Sequence, residues 1–176
     1  MNEYLVITAI GADRPGIVDD LSRILLENNL NIEDSRMSVL GGEFAIILLV
    51  SGAPDAIKQV QDQQQSLEQT LQLNLLIKST SGRAASADTI PYEIKVVGMD
   101  HPGIVNRLAR FLSQHSINID DLETESYPAA HTGTPMFAVE MMVDIPSQLA
   151  TSQLKADFMA LCEELNLDAE FTSVDQ

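Results

Sequence analysis

The chain has 176 residues, 45% of them apolar and 5% aromatic, and carries a formal net charge of −16 with a single Cys and no Trp. That acidity disfavours nucleic acid and anionic membranes as direct partners, because non-specific binding to either rests on basic side chains neutralising phosphates. The length suits one large domain or two small ones, and the lone Cys162 excludes an internal disulfide framework and fits a reducing, cytoplasmic setting.

Tyr4–Ile10 (YLVITAI) is rich in β-branched residues and is followed by Gly, which predicts a strand. The phrase GADRPGIV (11–18) comes next and leads into a helix. Apolar residues at 17, 18, 21, 24 and 25 lay one stripe on one helix face, and Pro15 suits a helix start. Asn28-Asn29 ends the helix. Ile32–Leu40 and Phe44–Val50 read as strands joined at Gly41-Gly42 by a tight hairpin. Pro54 then opens a second helix that carries Ile57, Val60, Leu67 and Leu71, with Gln64 interrupting the stripe, and Asn74–Lys78 is the last strand of this half. Residues 79–89 (STSGRAASADT) are small and polar, as a linker would be.

The second half repeats the first. Tyr92–Val97 predicts a strand, GMDHPGIV (98–105) follows, and apolar residues at 104, 105, 108, 111 and 112 restate the helical stripe up to a break at His115-Ser116. Asn118-Ile119 opens the next strand. YPAAHTGTP (127–135) replaces the tight hairpin with a longer loop, Leu154, Phe158, Leu161, Cys162 and Leu165 mark the second helix, and Asp168–Ser173 is the final strand. Aligned without gaps, 10–34 and 97–121 agree at 12 of 25 positions, and the register resumes at Phe44 and Phe137 after six extra residues in the second copy. This duplication predicts two domains, 1–78 and 90–176, joined by 79–89. Each is α+β with the ferredoxin-like order β-α-β-β-α-β, an antiparallel sheet with helices on one face.

The duplicated phrase carries the chemistry. A Gly-bearing turn lets the backbone approach a ligand closely, and a helix start presents unpaired N–H groups whose dipole favours a carboxylate. Asp13 or Asp100 would pair with an ammonium group held there, and Asn31 or Asn118 would add hydrogen bonds from the following strand. The candidate ligand-binding residues are therefore Gly11, Asp13, Pro15, Gly16, Ile17 and Asn31, with Gly98, Asp100, Pro102, Gly103, Ile104 and Asn118 in the second copy. A purely structural role competes: an Asp near a helix start is often a cap contributing about 1 kcal/mol, and an Asn at a turn exit often bonds local backbone.

The remaining candidates are weaker. No H-x-x-H, C-x-x-C or phosphate-loop spacing occurs, so neither a metal nor a cofactor is expected. No nucleophile–base pair stands out either, so no catalytic residue is assigned. Cys162 lies on an apolar helix face and reads as core. Residues 1–10 lack the pattern of a signal peptide. The longest apolar run, the seven residues Phe44–Val50, falls far short of the ~20 needed to cross a bilayer.

A β-α-β-β-α-β unit with D-x-P-G-I-V at its first turn and L-N-I or I-N-I after its first helix resembles the ACT domain, a small regulatory module that often senses amino acids. A tandem pair filling a chain of this length resembles the glycine cleavage system transcriptional repressor family. The amino-terminal module of formyltetrahydrofolate deformylases carries a similar D-x-P-G phrase, but the catalytic domain that follows it there is missing from this sequence. The repressor resemblance implies a cytoplasmic, non-enzymatic regulator that responds to a small amino acid, glycine above all, and acts through a protein partner, a DNA-bound transcriptional activator. It also implies a homodimer. Asp13, Asn31, Asp100 and Asn118 fall on positions from which other ACT modules bind amino acids. The chain departs from some of those members, which have His in place of Gly11 and Gly98 and Asn in place of Asp13 and Asp100, so the resemblance does not fix the ligand. The alternative it leaves open is a ligand-free assembly module that regulates a metabolic enzyme.

Overall fold

Strand β1 (Glu3–Ala12) alternates in burial along its length. Leu5, Ile7 and Ala9 are buried, whereas Val6 and Thr8 are half-buried and Ile10 is exposed. One face of its sheet therefore meets helices and the other does not. The computed structural model describes residues 2–81 and 88–174. The chain divides into two units, Met1–Ala84 and Ala85–Gln176.

In the first unit β1 is followed by α1 (Ile17–Glu27), β2 (Asn31–Leu40), β3 (Glu43–Gly52), α2 (Pro54–Asp62), α3 (Gln64–Leu71) and β4 (Asn74–Thr80). The strands form one antiparallel sheet in the order β2-β3-β1-β4. In the second unit β5 (Thr89–Met99), α4 (Ile104–Gln114), β6 (Asn118–Pro128), β7 (Pro135–Pro146), α5 (Thr151–Glu164) and β8 (Leu167–Ser173) give the order β6-β7-β5-β8. The ferredoxin-like reading holds for both.

Several local expectations are refined. The expected second helix of the first unit is two helices, α2 and α3, which meet at Gln63 beside the Gln64 that interrupts the apolar stripe. The edges of the expected linker 79–89 belong to strands, Ser79 and Thr80 to β4 and Thr89 to β5, and its residues 82–87 lie outside the described residues. Gly41 and Gly42 both have positive φ (61° and 87°), as a two-residue hairpin matched to strand twist requires. The longer loop of the second copy is closed by Ala129 N–H to the Thr134 carbonyl (2.8 Å) and Gly133 N–H to the Ala129 carbonyl (2.9 Å).

Each unit has its own core. In the first, Leu5, Ile17, Phe44, Val50, Ile57 and Leu71 pack between sheet and helices. In the second, Ile94, Leu108, Leu112, Ile145 and Phe158 do so, with Cys162 among them at 1% exposure. Burying a side chain of this size stabilises by about 1.5–3 kcal/mol.

Candidate functional site

The duplicated phrase sits where β1 and β5 end. Gly16 (φ 90°, ψ −1°) and Gly103 (φ 98°, ψ −3°) hold the conformation of the third residue of a type II turn, with Pro15 and Pro102 before them. Only Gly adopts that region without strain, so the Pro-Gly pair swings the chain into α1 or α4. The Gly16 carbonyl then accepts from Asp20 N–H (2.9 Å) and the Gly103 carbonyl from Arg107 N–H (3.0 Å). Among the described residues no side chain caps either helix start. The capping role weighed for Asp13 and Asp100 is thus not realised, and the first N–H groups of both helices remain without an intrahelical partner.

Gly11 and Gly98 have a different reason to be glycine. A Cβ on Gly11 would come within 2.8 Å of Leu73 Cδ2 and 3.2 Å of the Gln72 carbonyl oxygen. One on Gly98 would collide with Leu167 and approach the Asn166 carbonyl oxygen to 3.2 Å. These two glycines let the incoming β4 and β8 pass close by. Ile17 and Ile104 are each 2% exposed, and their side chains belong to the cores, not to a ligand surface. Asp13, Pro15, Asp100 and Pro102 are exposed at the turns. Asp13 N–H donates to the Gly42 carbonyl (3.0 Å) and Asp100 N–H to that of Pro135 (2.9 Å), while Ser126 Oγ donates to Asp100 Oδ2 (3.1 Å).

The structure does not bring the asparagines to these turns. Asn31 pairs across the ladder with Ser51, whereas Gly11 pairs with Phe44 at the far end of the same strand. Seven residue steps separate the two rows, about 23 Å of strand. Asn118, opposite Asp144, stands at the same remove from Gly98, opposite Phe137. Each Asn instead braces a β-bulge at the start of an edge strand. Asn31 Nδ2 donates to Glu33 Oε1 (3.1 Å), which also accepts from Ser51 Oγ (2.5 Å), and Asn118 Nδ2 donates to Asp120 Oδ1 (2.8 Å). The Ser51 hydroxyl, and then Asn31, hold the Glu33 carboxyl below the usual carboxylate range. Within one unit, then, the turn and the Asn cannot close on one small ligand.

The two turns differ in sequence at Ala12/Met99 and Arg14/His101, and their surroundings differ further. Arg14 Nη2 bonds Asp20 Oδ2 (2.8 Å) and the Leu71 carbonyl at the end of α3 (3.3 Å), and Arg23 takes the other Asp20 oxygen (2.6 Å). Hydrogen bonds from Arg14 and then Arg23 hold the Asp20 carboxyl below its usual range. The first turn of α1 thus carries Asp19 and Asp20, while the first turn of α4 has no acidic residue. There His101 Nδ1 lies 3.2 Å from the Pro102 carbonyl, and Arg107, the counterpart of Asp20, turns away to Glu164 Oε1 (2.9 Å). The mismatch Arg14/His101 pointed to this divergence in the sequence, whereas the mismatch Asp20/Arg107, which decides what Arg14 binds, was missed.

Other features carry less chemistry. A broad groove of about 1000 Å³ in the second unit is lined by residues including Lys95, Glu140, Met159, Glu163 and Glu170, none of them from the turn. Among the described residues no group of three His, Cys, Asp or Glu side chains is placed to hold a metal ion, and no helix is long and apolar enough to cross a membrane.

The ACT domain family model matches twice, over residues 3–78 and 94–172. The glycine cleavage system transcriptional repressor of Escherichia coli (strain K12) is 32% identical over 171 residues, which span 97% of this chain and 90% of that protein. Among solved structures, a protein of unknown function from Galdieria sulphuraria superposes with a TM-score of 0.83 at 32% identity, covering 99% of this chain and 100% of that one. A crystal structure assigned to the glycine cleavage system transcriptional repressor does so with a TM-score of 0.75 at 28% identity, covering 100% and 99%. These matches support a regulatory role. The chain is a tandem ACT-domain protein and belongs to the same family as the glycine cleavage system transcriptional repressor.

Proposed function

We propose that this chain is an amino-acid-responsive repressor of the glycine cleavage system that acts in the cytoplasm, without catalysis or a cofactor, by contact with a DNA-bound activator. The relative spanning 97% of the chain supports the regulon. The net charge of −16 supports contact with a protein over contact with DNA.

The observation that carries the sensing role is a pair of uncapped helix starts, each beside an exposed Asp. A small amino acid such as glycine would set its carboxylate on the free N–H groups and its ammonium group on Asp13 or Asp100. The second turn is the better seat. In the first, Asp19 already lies near the positive end of the helix dipole, and the Arg14 guanidinium is committed to Asp20 and not free for a second anion. Calorimetric titration of the full chain with glycine, alanine and serine tests this. Binding is expected, with Asp100→Ala weakening it roughly tenfold, the scale of a charge-assisted hydrogen bond, and Asp13→Ala weakening it less. If no ligand binds at millimolar concentration, and both variants leave regulation in cells unchanged, the sensing role is wrong.

A second reading, a ligand-free assembly module, draws on the steric reasons found for Gly11, Gly16, Gly98 and Gly103, which explain the phrase without a ligand. It predicts a partner that co-purifies equally with and without glycine.

A further inference from the structure

The face of the first sheet that its helices leave bare is an apolar plate with charged edges. The strand registers set three rows across it: Asp34–Leu49–Val6–Lys78, Arg36–Ile47–Thr8–Leu76 and Ser38–Ala45–Ile10–Asn74. Ile10 and Ile47 are 47% exposed although they stand on the two central strands, and Leu76 on the edge strand β4 is 66% exposed. The charges lie at the rims, with Asp34 and Arg36 paired at 2.5 Å on β2 and Lys78 on β4. A contiguous apolar surface of this kind marks an interaction site.

We propose that this plate is the interface of a homodimer, covered by the same plate of a second copy. Its size fits. Three strands of 10 residues and one of 7 cover roughly 600 Å², so two plates bury about 1,200 Å², the lower bound for a specific interface. Sheets stacked face to face keep their strands within about 30° of one another, which leaves two orientations for a two-fold axis lying between the sheets. An axis across the strands stacks β2 on β2 and sets Arg36 against its own copy. An axis along the strands lays β2 over β4 and keeps each row at its own height. Asp34 then faces Lys78 of the second copy, twice, and Leu49 faces Val6. Charge complementarity selects the second orientation.

The bare face of the second sheet is not a suitable cover. Its corresponding middle row is Glu123–Glu140–Lys95–Glu170, with Glu93 and Glu125 in the rows beside it. Laid on Ile10, Ile47 and Leu49, those carboxylates would lose water without gaining partners. The proposal does not depend on ligand binding at the turns.

Sedimentation velocity of the full chain over a concentration series is the test, with circular dichroism confirming that each variant is folded. A dimer is expected. Ile47→Glu, at an exposed position, should raise the dissociation constant roughly tenfold or more. Asp34→Lys alone and Lys78→Asp alone should each weaken the dimer, and the two together should restore it. A monomer at every concentration overturns the proposal. So does a dimer whose dissociation constant is unmoved by Ile47→Glu, or a double exchange that fails to rescue the single ones.

Discussion

The first and second units share strand order, turn and bulge, and they part company where side chains leave the backbone's control. Gly16 and Gly103 are both left-handed, Gly11 and Gly98 both sit under a passing strand, and the bulges fall at equivalent places, after Ile32 and after Ile119. On the bare faces of the sheets the likeness ends. Where the first unit sets Ile47 and Leu49 on its central strand, the second sets Glu140 and Met142. Lys95 is the one cation in the second unit's middle row, and its ammonium is held above the usual range, first by its hydrogen bond to Glu93 and then by the charges of Glu140, Glu93 and Glu170. Such a face stays hydrated. The lesson is that backbone geometry kept these two copies alike, and that the freedom to diverge lay with surfaces the fold itself does not use.

The strongest way to break this comparison is to empty one core. Phe158→Ala in the second unit and Phe44→Ala in the first, both essentially without exposure, should each cost about 3–5 kcal/mol. Each loss should be confined to its own unit, read as amide exchange segment by segment. Unfolding of both units together in either variant would show that the cores are not independent.

Next in size are the glycines. Gly98→Ala forces Leu167 aside and should cost about 1–3 kcal/mol, as overpacking does. Gly103→Ala, with open space around it but φ at 98°, should cost about 1–2 kcal/mol from backbone strain alone. Denaturant midpoints separate the two: extra space opened by Leu167→Ala should relieve the first variant and leave the second unchanged.

The smallest effect is the response to acid. Asp20, Glu33 and Asp34, all in the first unit, have carboxyl groups held below their usual range by hydrogen bonds from Arg14, Ser51 and Arg36 respectively, as the leading cause in each case. A carboxyl depressed in the folded state contributes stability above its unfolded value, and that contribution fades as pH falls through the folded value. The reference values are 3.8 for Asp and 4.5 for Glu, so the first unit should lose stability below about pH 4.5. All three groups lie at the surface, and solvent screening keeps the loss modest. Glu33→Gln should flatten the slope. A first unit as steady at pH 3.5 as at pH 7 would contradict the ion-pair and bulge geometry.

Much of the fold was legible because it rests on local periodicity. The apolar stripe at 17, 21 and 25 and the Gly41-Gly42 hairpin are decided within one short helix or one pair of residues, and they appear as expected. The site was legible only in part. Asp13 and Asn31 flank one helix and match positions from which other ACT modules bind amino acids, but β2 runs parallel to β1, so the start of β2 lies at the opposite end of the sheet from the turn. The character of the bare faces needed registers that link four strands, and in both units a bulge reverses which residues of β2 and β6 point outward. No window along the chain contains that information.

The buried sulfur of Cys162 has a consequence of another kind. It is the chain's one thiol, it lies in the second core, and burial pushes it up to about 11. At neutral pH a thiol reagent can find it only when that core comes apart. The molecule therefore carries its own stopwatch on one of its two halves: the rate at which the sulfur is captured counts the openings of the second unit and is blind to the first.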